Sequence, residues 1–98
     1  MSDAWPFEEA RDFGVFCSRS IIEASNVILL VAHDGDGSWQ FLDGERIESS
    51  AQVAHVHLEH IFRLDPTVRH VARLPRGSVA ERKGIGHPWS ESAATHDS

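Results

Sequence analysis

The run Asp34-Gly35-Asp36-Gly37-Ser38 constrains this chain most, because it separates two β-prone segments and forces a reversal between them. Before it stands the apolar Val27-Ile28-Leu29-Leu30-Val31-Ala32, and after it the alternating Trp39-Gln40-Phe41-Leu42. Two Asp-Gly pairs offer the positive φ angles of a tight turn, and β-branched and aromatic flanks suit a pleated, half-buried surface. The pattern predicts a β-hairpin, strands two and three of the fold.

Around it the remaining elements are short. Phe13 to Ser18 reads as a first strand, and Ser18 caps a brief helical turn through Ala24. Val53-Ala54-His55-Val56-His57-Leu58 alternates with period two, a fourth strand with Ala54, Val56 and Leu58 on one face and the histidines on the other. Leu58 to Leu64 turns into a short helix. Asp65-Pro66 then starts another toward Arg73, because Asp accepts free amides and Pro suits the first helical position. Ser78 to Arg82 returns as a fifth strand. These elements predict an α+β domain: a small, curved antiparallel sheet of four or five strands with one or two short helices on one face. The expected core comprises Phe16, Ile28, Leu30, Phe41, Val56, Leu58, Ile61, Phe62, Val68 and Val71.

The 98 residues suit one domain, 1–98, with an ordered core of about 13–83 between a flexible N-terminal arm, 1–12, and a tail, 84–98. A net charge of -6 disfavours a general nucleic-acid or membrane binder. The charge is uneven: Met1 to Glu59 holds eleven acidic and three basic residues, His60 to Ser98 four acidic and six basic. A single cysteine and an N-terminus without a basic start and apolar run point to the cytoplasm. The longest apolar run, Val27 to Ala32, is of strand length and spans no bilayer.

Four blocks carry a resemblance: Cys17-Ser18-Arg19-Ser20 after the first strand; Gly37-Ser38-Trp39-Gln40-Phe41-Leu42-Asp43-Gly44; Phe62-Arg63-Leu64-Asp65-Pro66-Thr67-Val68; and Leu74-Pro75-Arg76-Gly77-Ser78-Val79-Ala80-Glu81-Arg82. In that order, over roughly Val15 to Arg82, they resemble the thirty-third immunity-protein family of bacterial polymorphic toxin systems, first described as a domain of unknown function. The resemblance implies a small α+β protein that is no enzyme, needs no cofactor and neutralises a cognate toxin by binding it, or a stand-alone member of uncharacterised role. The chain departs from the family pattern in a shorter loop after the tryptophan strand and in its His-Val-His-Leu-Glu-His run.

If the resemblance carries over, the partner-binding residues are expected at the acidic turn and beyond it: Asp34, Asp36, Trp39, Asp43, Glu45 and Glu48. Toxins that attack nucleic acid present basic clefts, which an acidic face attracts. Trp39 is weighed as core against a half-exposed contact. The alternative function is a small metal-binding protein or hydrolase using His55, His57 and His60, where two strand histidines share a face and a third follows the strand end. Against it, such histidines often simply line an outer strand face. Asp34-x-Asp36-x-Ser38 with Glu45 mimics a calcium loop, but Trp39 occupies the glycine position. Arg69, Arg73 and Arg76 form a helical stripe that suits phosphate, although a solvated face is the commoner outcome. Cys17, inside an apolar strand, reads as an inert core residue.

Overall fold

The computed structural model describes residues 4–93 and has the α+β architecture expected from the pattern. Six strands form one mixed sheet: β1 (Gly14–Ser18), β2 (Leu30–His33), β3 (Trp39–Leu42), β4 (Val53–His57), β5 (Ser78–Glu81) and β6 (Ser90–Ala93), in the spatial order β4-β1-β3-β2-β5-β6. Helices α1 (Arg19–Ala24) and α2 (Leu58–Leu64) and two 3-10 turns, Ser50–Gln52 and Pro66–Val71, complete it.

Two features differ from the expected antiparallel sheet of four or five strands. First, β1 and β3 run parallel, with Cys17 opposite Phe41. β3, not β2, lies beside β1, and the chain joining these two parallel strands runs through α1 and β2. Second, β6 pairs antiparallel with β5 where the sequence suggested only a tail, which begins at Gly84. Its residues Ser90-Glu91-Ser92-Ala93 are all exposed and lack alternation; Trp89, stacked 4.3 Å over the Arg82 guanidinium, holds the strand to the body. The rest of that tail, 94–98, lies outside the described residues.

Alternation sets the two sheet faces. Val15, Cys17, Val31, Trp39, Phe41 and Ala80 point inward and are essentially inaccessible, meeting Leu58, Ile61, Val68, Val71 and Leu74 from the helical layer. Phe16 has the opposite parity in β1, is 42% exposed and is therefore not core. Leu30, Val56 and Phe62 are only half-buried, while the other expected core residues are buried.

The N-terminal arm, expected as a loose segment or a short turn pinned by Trp5 and Phe7, is pinned by these aromatics from residue 4 onward. Phe7 sits in the core with its edge on Trp39 at 5.5 Å, and Trp5 packs on Phe62 at 5.6 Å. Backbone carbonyls of Arg11 and Phe13 accept the Glu59 and Leu58 amides at 2.9 Å, satisfying the free start of α2. At the hairpin only Gly37 takes a positive φ, 95°; Asp36 Oδ1 accepts the Ser38 amide and completes the reversal. Asp65 accepts the Thr67 amide, so Asp-Pro does start a helix, but one of 3-10 form that ends at Val71.

Burial orders the expected losses: Phe41→Ala should cost about 3 kcal/mol or more in urea denaturation, and half-buried Phe62→Ala clearly less.

Candidate functional site

The six residues expected to bind a partner are divided along β3. Asp34 and Asp36 lie before β3, and Asp43, Glu45 and Glu48 follow it, so the length of a four-residue strand, roughly 13 Å, separates the groups. The same separation removes the calcium-loop arrangement, since Glu45 cannot join Asp34 and Asp36. Trp39 is 1% exposed, stacked between His33 and Phe41, and offers no external contact.

At the hairpin end the carboxylates serve the turn. Asp34 accepts from the Gln40 amide group at 2.7 Å. The Ser38 amide holds the exposed Asp36 carboxyl below its ordinary value, and nearby Arg76 acts in the same direction. The Arg76 guanidinium lies against Gly37, 3.1 Å from where a Cβ would sit. Arg76 and the acidic turn are thus neighbours, whereas the expected helical stripe does not form, because the 3-10 helix ends at Val71, before Arg73 and Arg76.

Beyond β3 the arrangement is different. Asp43 is 7% exposed and gathers three segments: its carboxylate accepts from the Ser20 hydroxyl, from Asn26 at 3.1 Å and from the Glu45 amide at 3.0 Å. Its own amide donates to the Ser18 hydroxyl at 3.2 Å. Burial pushes the Asp43 carboxyl up, but the hydrogen bonds from Ser20, Asn26, Glu45 and Ser18 outweigh it and hold the carboxyl below its ordinary value.

Gly44, at φ 85°, then releases the chain into an exposed loop that Gln52 closes. Gln52 Oε1 accepts the Glu48 amide at 2.7 Å and the Ser49 amide at 3.0 Å, while Gln52 Nε2 donates to the Arg46 carbonyl at 3.1 Å. With Ser49 this is a capping box, and Arg19 anchors its far side by donating to the carbonyls of Ala51 and Val53. In this loop Ile47, 38% exposed, follows Glu45 and Arg46 and precedes Glu48. Ile47, Ala51, Glu23 and Arg19 border a shallow hollow of about 290 Å³. Ser49-x-x-Gln52 before a strand is a legible capping signal, and Ile47 is the one large apolar side chain between Gly44 and Gln52.

His55, His57 and His60 do line one open hollow, of about 540 Å³, with Glu59 and Arg63. They do not converge: among the described residues no group of three or more His, Cys, Asp or Glu side chains is placed to hold a metal ion. His55 instead lies over Gly14, where a Cβ would come within 2.5 Å of its ring, and packs on Phe16 at 5.0 Å. Cys17 is fully buried, and burial pushes its thiol up, away from the reactive thiolate. Among the described residues no helix is long and apolar enough to cross a membrane.

Compared with protein-family models, curated proteins and solved structures, the chain gives no match.

Asp43→Ala should cost about 2 kcal/mol, because it strands partners of a buried carboxylate. Amide exchange should rise first at Glu45, whose acceptor is lost. Since the folded carboxyl is held below its unfolded value near 3.9, this contribution is complete at neutral pH and is lost as pH falls through the folded value. Denaturant midpoints of the native chain and the variant should therefore converge in acid.

Proposed function

We propose that this chain is a non-enzymatic, cytoplasmic binding protein of the immunity type, which neutralises a cognate toxin by docking the loop Gly44 to Gln52 onto it. One observation carries the reading: an exposed loop is held by side chains from Asp43, Ser49 and Gln52, while its Ile47 stays 38% exposed beside an open hollow that Glu45 also lines. A loop ordered before contact loses little entropy on binding, so its contacts convert more fully into affinity. Ile47 supplies the apolar anchor, and Glu45 and Glu48 steer it toward a basic cleft such as nucleic-acid-cleaving toxins present. The blocks that resemble the immunity family point the same way. Ser18, Ser20 and Asp43 come from two of those blocks and meet at the loop's base.

Co-expression with a toxin encoded beside this gene tests the proposal. The native chain should restore growth and co-purify with the toxin, and Glu45→Lys/Ile47→Asp/Glu48→Lys should lose both with an unchanged melt. Asp34→Lys/Asp36→Lys, at the opposite end of β3, should retain both. Full protection by the loop variant overturns the assignment of the surface; absence of any neighbouring toxin that the native chain binds overturns the function.

A further inference from the structure

Away from the loop, at the hairpin end of the sheet, the fold encloses polar atoms that its own hydrogen bonds leave unused. A hollow of about 390 Å³ lies between the N-terminal arm (Pro6 to Glu9), the sheet residues His33 and Trp39, and the segment Ala72 to Arg76. Three buried side-chain atoms of its lining have no hydrogen-bond partner: Glu9 Oε1, His33 Nε2 and Trp39 Nε1. Leaving even one such group unsatisfied is costly, and natural folds rarely cluster three.

The chemistry of each atom is fixed by its surroundings. His33 is 8% exposed, and its Nδ1 lies 2.7 Å from the Leu74 carbonyl oxygen, which can only accept. Nδ1 therefore carries a proton and is satisfied, while Nε2 is left without a partner. Glu9 Oε2 is 3.8 Å from Nε2, too far for a hydrogen bond, so Nε2 gains no partner from the carboxylate and Glu9 Oε1 is likewise without one. Trp39, 1% exposed and stacked on His33 at 3.9 Å, contributes an N–H that requires an acceptor. Arg73 and Arg76 also line the hollow, are exposed, and form no ion pair among the described residues. Pro6, Phe7, Leu74 and Pro75 supply apolar wall.

We infer that this hollow binds a small zwitterion, an apolar α-amino acid. Its ammonium group donates to Glu9 beside His33, and its carboxylate accepts from the Trp39 indole and meets the two guanidinium groups. Its side chain lies on the apolar wall. A phosphate or dicarboxylate would satisfy the arginines but would confront the Glu9 carboxylate with like charge; a simple amine would leave Trp39 without an acceptor and face two arginines. The inference does not depend on toxin binding, because its residues lie at the other end of β3 from the docking loop.

The test follows the indole N–H resonance of Trp39 in nitrogen-labelled protein, assigned with Trp5→Phe and Trp89→Phe variants. Leucine, valine and phenylalanine are titrated into the native chain, with N-acetyl-leucine and leucinamide as probes lacking one charge each. At least one free amino acid should move the Trp39 resonance saturably, and each blocked probe should bind about tenfold or more weakly. Glu9→Gln and, separately, Arg73→Ala/Arg76→Ala should weaken the free amino acid by a similar factor; the exposed arginine pair tests the site even if the Glu9 variant fails to fold. If no amino acid moves the resonance at millimolar concentration, water alone satisfies these atoms and the inference is overturned. Equal binding by N-acetyl-leucine, or no loss in the arginine double variant, overturns it as well.

Discussion

A single guanidinium ties the second half of this chain to the first. Arg82, whose side chain is 2% exposed, donates from Nη2 to Asp65 at 2.6 Å, from Nη1 to the Thr67 hydroxyl at 2.9 Å and from Nε to the Ile28 carbonyl at 2.9 Å. Its outer face carries Trp89. Thus the end of β5, the cap of the 3-10 helix, the approach to β2 and the approach to β6 share one charge. An unpaired charge at this depth would be strongly destabilising, so the network works only with Asp65 ionised. Burial pushes that carboxyl up, but hydrogen bonds from Thr67 and Arg82 outweigh it and hold it below its ordinary value. The Thr67 hydroxyl accepts from Arg82 and donates to Asp65, closing the set.

The Asp43 cluster does for the first half what Arg82 does for the second. It gathers α1, the segment after it and the end of β3 around one carboxylate, and so fixes where the loop begins. In the first cluster Ser18 and Ser20 meet Asp43, and in the second Asp65 and Thr67 meet Arg82. The surface proposed to meet a partner, with Ile47 and Glu48, lies between the two in sequence.

How much of this was legible in the sequence depended on range. Local signals worked: Asp-Gly turns gave the hairpin, Asp65-Pro66 gave a helix start, and alternation gave β4 with its histidines outward. Information carried by distant residues did not. Nothing local in Phe13 to Ser18 says that β1 lies parallel to β3, and taking Phe16 as core reversed the parity that Val15 and Cys17 set. Ser90 to Ala93 carries no strand periodicity because both of its faces meet solvent; its place comes from pairing with β5. The acidic residues looked like one patch because they are close in sequence, whereas β3 holds them apart. His33, Glu9 and Trp39 meet only after the arm folds over the hairpin, which no spacing within either segment encodes.

A double-mutant cycle between Asp65 and Arg82, read from urea denaturation at neutral pH, tests most directly whether one buried ion pair organises the domain. With Asp65→Asn, Arg82→Gln and the double variant, the account requires a coupling energy of about 2 kcal/mol or more, each single change leaving its partner stranded. Losses that add to within about 0.5 kcal/mol would show that the two residues act independently and would contradict it.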